Sequence, residues 1–252
     1  RPHPMRLDDL LAKHPRQPGA RRGGVVINIP TPRRVRDAVY QTFAGEGRAP
    51  SIAELAEKLS LTRDSIEHTL RTLADEHALV LNKQGDAVRM AHPFTASPMA
   101  FVVTPKDGLD DRRWWGGCAW DSFGISAALD REVRIATACP ECGAHVSYFA
   151  GPDTPPPGGL AVRFPKPARQ WWDDVVGTCT MIRMFCDEEH ANRWGRTHAP
   201  ESGCVADAVA VWKLATPWYG DRLDPQFEPH SREHNQKLLA ECGLRGDFWE
   251  LP

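Results

Sequence analysis

The chain lacks any long apolar run. No window of its 252 residues approaches the 18 or so consecutive apolar residues of a transmembrane helix, and its start has no apolar core of a secretory signal. An excess of charge is also lacking, because the formal net charge is −2 at pH 7. That balance gives no electrostatic reason to expect nucleic acid or an anionic membrane as the main partner. These absences favour small molecules or proteins as partners and predict a cytoplasmic location.

The cysteine pattern of a disulfide scaffold is missing as well. Seven cysteines, an odd number, are spread irregularly along the chain, unlike the dense framework of a small secreted domain. We therefore expect reduced thiols that are available for chemistry or metal binding. There are no internal repeats.

A complete zinc motif is also absent. Cys139 and Cys142 form the one C-x-x-C motif of the chain, whereas a structural zinc site normally needs four ligands. The pair is a possible metal site, but structural zinc is not favoured and no required cofactor is predicted. His190 is interpreted as a residue on a helix surface. The residues that could in principle complete such a site are His145, Cys186, His190 and Cys204.

Three segments are predicted along the chain. Residues 1–31 mix proline, glycine and arginine and are interpreted as a flexible basic arm. Residues 32–94 are predicted to form a winged helix-turn-helix module, and residues 95–252 a catalytic domain.

The winged-helix prediction rests on three helices and a hairpin. Apolar residues recur at every fourth position from Val35, a capping box Ser51-Ile52-Ala53-Glu54 starts a second helix, and Thr62 caps a third. Runs at 79–81 and 87–90 flank a turn and predict a β-hairpin. The third helix carries more acidic than basic residues, so DNA binding is not favoured over a docking or structural role.

The second domain is predicted to be α+β, a mixed domain with a small, mostly antiparallel sheet. Strand-like runs and helical patterns alternate unevenly beyond residue 95, which favours this class. The predicted strands are 99–104, 133–137, 145–149 and 160–164, and the predicted helices are 119–129, 187–197, 203–215 and 231–242.

A thiol and a carboxylate stand at the start of one of these helices. In the stretch 116-GGCAWDSFGISAAL-129 the glycines permit a tight turn, and Cys118 should then lie near a helix N-terminus, where the dipole and free N–H groups favour a thiolate. Asp121 follows three residues later, on the same helical face. Alone, this spacing fits a buried structural cysteine equally well.

A second stretch, 171-WWDDVVGTCTMIRMFCDEEHANRW-194, contributes Cys179, fifteen residues before Trp194. Together with the C-A-W-D-S block at 118–122 and the module ahead of it, this cysteine resembles the organomercurial (alkylmercury) lyase family. The resemblance extends from about Pro32 to about residue 235.

The resemblance implies a fold, an activity and roles for three residues. Cys118 and Cys179 match the two cysteines of the family that bind mercury, and Asp121 matches its catalytic carboxylate. The implied reaction cleaves a carbon–mercury bond by protonolysis, releasing a hydrocarbon. Hg(II) stays on the thiols until low-molecular-weight thiols remove it.

Elementary chemistry is consistent with these roles. Hg(II) is a soft ion that prefers thiolates, and thiolate donors push electron density onto the bound carbon, which makes it easier to protonate. A nearby carboxylate can move the proton from thiol to carbon. Trp115, Trp120 and Phe123 are candidates for an apolar wall around the organic group.

Two alternatives remain open at this point. A protein of the same fold could act on another organometal or on an electrophilic metabolite through one nucleophilic thiol. A non-catalytic carrier or regulator for thiophilic metals is the other alternative. The presence of two cysteines together with the aspartate favours the lyase, because simple covalent catalysis needs only one thiol and a carrier has no evident use for Asp121. The acidic third helix argues against a regulator.

Overall fold

The computed structural model describes residues 31–108, 110–198 and 203–252. The arm predicted for residues 1–31 lies outside the described residues, except for Thr31, which begins the first helix.

Three helices open the described chain: α1 (Thr31–Glu46), α2 (Ile52–Leu59) and α3 (Arg63–Asp75). The capping box of α2 is present, because Ser51 Oγ accepts from the Glu54 N–H and the Glu54 carboxylate accepts from the Ser51 N–H. Thr62 Oγ1 accepts from the N–H of Ser65 and caps α3. These bonds satisfy N–H groups that a helix start leaves free, so both helices begin where the sequence predicts.

The larger sheet is antiparallel and has seven strands. They are β1 (Val80–Leu81), β2 (Val88–Ala91), β3 (Phe94–Thr95), β4 (Phe101–Pro105), β5 (Trp114–Gly116), β6 (Val133–Ala138) and β7 (His145–Ala150). Their order in the sheet is β1-β2-β3-β5-β4-β6-β7. The predicted hairpin is β1 and β2, and β3 joins it to β5 by pairing with both neighbours. The hairpin therefore belongs to the same sheet as strands from the second half of the chain.

The smaller sheet is antiparallel and consists of β8 (Ala161–Phe164), β9 (Arg183–Phe185) and β10 (Cys204–Asp207). Their order in the sheet is β10-β8-β9. The remaining α-helices are α4 (Ala119–Leu129), α5 (Val175–Met181), α6 (Glu188–His198), α7 (Ala208–Tyr219) and α8 (Arg232–Glu241).

Helix α4 is the centre of the fold. It packs against α7 and against strands β4 and β5, and ten of its eleven residues are buried. The helix carries apolar or small residues on every side, which is typical of a helix covered all round. This burial holds its first turn rigidly at the interior of the protein.

The architecture is a mixed α+β fold with antiparallel sheets, as predicted, and α4 has the predicted bounds. The helix predicted for 203–215 is wrong in its first part. Cys204–Asp207 pairs with β8 as a strand, and α7 begins only at Ala208, because Asp207 Oδ1 accepts from the Val209 N–H and caps it. The sequence analysis also missed β3, β5, α5 and β9.

Within the described residues, none of the helices has the length and apolar character needed to cross a bilayer.

Candidate active site

Cys118 lies between β5 and α4 and is the N-cap residue of α4. Its Sγ accepts a hydrogen bond from the Asp121 N–H at 3.3 Å. The predicted position at a helix N-terminus is confirmed, and the side chain is almost fully buried.

Gly117 allows the carboxylate of Asp121 to approach this turn. A Cβ at position 117 would lie 2.7 Å from Asp121 Oδ2 and 2.5 Å from Met90 Cε, with Cys179 Cβ at 3.7 Å. Such contacts are shorter than real Cβ atoms make, so a side chain would displace the carboxylate. The glycine therefore serves close packing at the site.

Asp121 lies in the first turn of α4 and is 1% exposed. Its Oδ1 accepts from the Tyr219 hydroxyl at 2.9 Å, and its Oδ2 lies 3.8 Å from Cys179 Sγ. Burial raises the pKa of Asp121, although His92 and the hydrogen bonds oppose the shift. A raised pKa makes the carboxylate a stronger acceptor for a proton from a neighbouring thiol and lets it hold that proton to higher pH than a free carboxyl group.

Cys179 is held by the short helix α5. Asp174 caps this helix by accepting from the Gly177 N–H, and Thr178 Oγ1 donates to the Trp171 carbonyl. Where α5 ends, the Ile182 carbonyl accepts from the Ala119 N–H at 3.1 Å. This bond joins the end of α5 to the start of α4 and so links the two cysteine-bearing segments.

His92 is a site residue that the sequence analysis missed. Its Nε2 lies 3.5 Å from Cys179 Sγ, and His92, Asp121 and Cys179 offer three potential ligand atoms within 4.8 Å of one another. Burial disfavours the imidazolium, but Asp121 and Cys179 outweigh that cost and raise the pKa of His92 to about 9. The residue stands 26 positions before Cys118, and no local motif marks it.

The two thiols differ in acidity. A hydrogen bond from Cys118, with His92 assisting, lowers the pKa of Cys179 to about 7 against the opposing effects of burial and Asp121. Burial, followed by Cys179 and Asp121, raises the pKa of Cys118 well above its usual value. The thiolate expected at the helix N-terminus is thus disfavoured at Cys118, because desolvation exceeds the help of one N–H, and Cys179 is the thiol that ionises first.

A cavity of about 370 Å³ opens onto these groups. Cys118, Asp121, Cys179, His92 and Tyr219 all line it. Aromatic rings dominate its apolar wall, and residues of α1 and α3 also line it. The lining further includes Arg36, Tyr40, His77, Trp120, Trp171, Trp172 and Trp218.

The predicted apolar wall is only partly correct. Trp120 lines the cavity, but Trp115 and Phe123 do not, because Trp115 lies on β5 and the buried Phe123 ring packs near Tyr148. Trp120 instead contacts Trp171 and Trp218 edge-on. The tryptophans that complete the wall come from segments distant in sequence.

Cys139 and Cys142 lie outside this cavity. The structure brings them together with Cys186 and His190, which the sequence left as two of four possible partners. His145 and Cys204 are not members of this group.

Comparison with known proteins decides the family. The family model described as alkylmercury lyase matches residues 94–220, which is half of the chain and includes Cys118, Asp121 and Cys179. The chain belongs to the alkylmercury lyase family. Organomercurial lyase activity is accordingly the function of this chain, and the resemblance recognised in its motifs is confirmed.

A solved structure supports the same fold. The chain is similar to MerB2, described as the crystal structure of its mercury-bound form, with a TM-score of 0.56 and 19% sequence identity. The match covers 78% of this chain and 91% of MerB2. At this identity the likeness shows the alkylmercury lyase fold, while the individual roles of the residues rest on the geometry above.

Proposed function

We propose that this alkylmercury lyase holds the mercury of an R–Hg⁺ substrate on Cys118 and Cys179 and that Asp121 delivers the proton to carbon. One observation carries the proposal: the buried Asp121 carboxylate lies 3.8 Å from the Cys179 sulfur, the Asp121 N–H donates to the Cys118 sulfur, and all three residues line one cavity. Soft thiolates suit mercury, whereas a protonated carboxyl suits proton donation.

The steps balance without a cofactor. Cys179 binds R–Hg⁺ as a thiolate, and Cys118 then loses its proton to the ionised Asp121 carboxylate, which becomes the carboxylic acid, as the Cys118 sulfur adds to the metal. The proton passes from Asp121 to the carbon, so the Hg–C bond breaks and the C–H bond forms. The hydrocarbon RH leaves, and Hg(II) remains on two thiolates until low-molecular-weight thiols exchange with it.

Tyr219 supports the carboxyl group in this scheme. Its hydroxyl donates to Asp121 Oδ1, which leaves Oδ2, the oxygen facing Cys179, for the mobile proton. The tyrosine pKa is raised well above its usual value by burial and by Asp121, so the hydroxyl stays protonated.

The aromatic cavity is suited to an apolar organic group on mercury. Trp120, Trp171 and Trp218 line the same cavity as the thiols, and Trp120 contacts the other two rings edge-on. An aryl group such as phenyl would bury its surface against these rings, a contribution of about 25 cal/mol per Å².

The N-terminal segment is proposed to be a winged-helix module, residues 32–94, that closes the cavity of a catalytic domain, residues 95–252. The order of α1, α2, α3 and the β1–β2 hairpin supports this assignment. Arg36, Tyr40 and His77 line the cavity, and His77 stacks on Trp172 with ring centroids 4.1 Å apart. The module thus has a use as a wall of the site that needs no DNA contact.

Release of benzene from a phenylmercury salt tests the proposal. The purified protein, given phenylmercury and excess small thiol, is expected to release benzene into the headspace, whereas the Cys118→Ser protein stays at the buffer background. Benzene release that is equal in the two proteins would remove Cys118 from the mechanism, and no benzene from either would refute the proposed reaction.

The imidazolium of His92 is expected to keep Cys179 ionised near neutral pH. Replacing His92 with glutamine removes a positive charge 3.5 Å from the sulfur, so the pKa of Cys179 should rise above about 7. The measurement is the pH dependence of Cys179 alkylation by iodoacetamide, followed by peptide mass spectrometry.

The alkylation midpoint should move to higher pH in His92→Gln, and substrate capture at pH 7 should slow accordingly. His68→Gln is the matched control, because His68 lies on α3 and is not among the cavity residues. An unchanged Cys179 midpoint in His92→Gln would show that the hydrogen bond from Cys118 suffices.

A further inference from the structure

A second cluster of thiols lies outside the substrate cavity. Cys139, Cys142, Cys186 and His190 offer one ligand atom each, and these four atoms all lie within 4.8 Å of one another. The proposed lyase reaction uses none of them.

The first half of the cluster is a tight turn between β6 and β7. The Cys139 N–H donates to the Ala144 carbonyl, and the Gly143 N–H donates back to the Cys139 carbonyl, both at 2.9 Å. Gly143 has φ +74°, a left-handed conformation that glycine adopts without strain. The turn folds Cys142 back toward Cys139, as a zinc-binding C-x-x-C turn does.

The Cys142 sulfur also lies 3.8 Å from the sulfur of Cys186. Since Cys186 is 44 positions from Cys142, this arrangement comes from the fold and not from the turn alone.

The second half of the cluster begins helix α6. Cys186 directly follows β9, and His190 stands four residues later in the first turn of α6. Asp187 Oδ1 accepts from the His190 N–H at 2.8 Å and fixes this turn. The histidine side chain thereby points at Cys139, with Nδ1 at 3.6 Å from its sulfur.

The distances fit a tetrahedral ion. Zinc binds sulfur at about 2.3 Å and histidine nitrogen at about 2.0–2.1 Å, which separates tetrahedral ligands by about 3.8 Å for S···S and about 3.6 Å for S···N. The Cys142 and Cys186 sulfurs are 3.8 Å apart, and the Cys139 sulfur is 3.6 Å from His190 Nδ1. Cys139, Cys142 and Cys186 are free cysteines, so their sulfurs are available as ligands.

We propose that Cys139, Cys142, Cys186 and His190 bind a structural Zn²⁺ ion. Three thiolates and one imidazole form a common structural zinc set, and four protein ligands leave no open position for a substrate. The set contains no carboxylate oxygen, which disfavours magnesium and calcium. Mercury would be retained by two thiolates, whereas this site offers four ligand atoms within 4.8 Å of one another.

The ion would join the two sheets of the fold. Its ligands come from the β6–β7 turn of the large sheet and from the end of β9 in the small sheet. Because β9 begins two residues after α5, which carries Cys179, zinc would also support the segment that positions this catalytic thiol.

Zinc content measured by mass spectrometry of the full chain tests the site. In protein purified under reducing conditions without chelator, we expect about one zinc per chain. The Cys118→Ser/Cys179→Ser double variant and the control Cys242→Ser should retain it, because these cysteines lie outside the cluster. Cys142→Ser and Cys186→Ser should lose it.

A rescue separates loss of a ligand from loss of folding. The His190→Cys variant offers four thiolates and should keep zinc, whereas His190→Ala should lose most of it. Cobalt substituted into the wild type should give the visible bands of a tetrahedral ion and thiolate charge-transfer absorption, and chelator should lower the Tm of wild type but not of Cys142→Ser.

Two results would overturn the proposal. One is a wild-type chain that carries less than a tenth of an equivalent of zinc and takes up none on reconstitution. The other is zinc that disappears in Cys118→Ser/Cys179→Ser but persists in Cys142→Ser, which would place the ion in the substrate cavity. Neither result bears on benzene release, so the zinc site and the lyase mechanism fail separately.

Discussion

The Cys179→Ser protein is expected to release no benzene from phenylmercury above background, a loss of at least about a thousandfold for a group that acts as part of a unit. Serine keeps the shape of the side chain but not its chemistry. A hydroxyl does not ionise near neutral pH and is a poor ligand for a soft metal. The substrate would therefore lose its first anchor as well as one of the two donors that make its carbon basic.

The structure explains why Cys179→Ser should lower benzene release more than replacement of an ordinary buried cysteine would. Cys179 is the thiol with the lowered pKa, about 7, and it faces both His92 and Asp121. A thiolate with these neighbours captures the metal and is close to the group that receives the next proton.

The matched control is Cys242→Ser, since Cys242 is the partly buried C-cap residue of α8 and is not in the cavity. Its benzene release should equal that of the wild type. Mercury retained per chain after gel filtration gives a second readout, which should fall in Cys179→Ser only. Wild-type turnover in Cys179→Ser would assign mercury capture to Cys118 alone and would refute the two-thiol mechanism.

Local patterns in the sequence predicted the helices whose ends carry their own signals. The capping box at Ser51 and the cap at Thr62 set the starts of α2 and α3, and Cys118 occupies the N-cap of α4 where the glycines end. In each case the start is fixed by hydrogen bonds within three residues, so the information is local.

Elements that depend on distant pairing could not be predicted in the same way. Cys204–Asp207 is a strand because it pairs with β8, forty residues earlier, and the β-branched run at Val175-Val176 becomes a helix because Asp174 caps it and Ile182 bonds to Ala119. Tertiary contacts override weak propensity in both cases.

The candidate site likewise contains residues whose proximity is predicted by local spacing and residues that only the fold brings together. The pairing of Cys118 with Asp121 follows from helical spacing, whereas the arrival of Cys179 rested on a family resemblance. No local pattern around His92 predicts its contact with Cys179, and none around Tyr219 predicts its hydrogen bond to Asp121. The Cys139 cluster shows the same limit, because Cys186 follows β9 and His190 lies on α6, more than forty residues after Cys142.

Asp121→Asn is expected to separate mercury capture from carbon protonation. The amide keeps the size of the side chain and accepts the Tyr219 hydrogen bond, but it cannot hold a transferable proton. Both thiols remain, so the variant should still bind phenylmercury. Release of benzene should slow by about 10²–10⁴-fold, the usual contribution of a positioned general acid.

Native mass spectrometry after rapid mixing resolves the two steps. The wild type should pass quickly to protein carrying Hg alone, whereas Asp121→Asn should accumulate protein that still carries the phenyl group. Asp207→Asn is the matched control, because Asp207 is an exposed N-cap residue of α7 and asparagine caps helices equally well. Equal rates of phenyl loss in wild type and Asp121→Asn would assign proton delivery to another group.

The pH dependence of phenyl loss in a single turnover tests whether Asp121 acts as the proton donor. Burial raises the pKa of Asp121, so the acid form persists to higher pH than in a free carboxyl group and is lost as the pH rises through the raised value. In substrate-loaded wild type the thiols are already on mercury, so their ionisation no longer contributes, and the rate should fall on the alkaline side of the Asp121 titration. The falling limb should be absent in Asp121→Asn, because asparagine has no proton to lose, and what remains is a slow rate set by proton delivery from water.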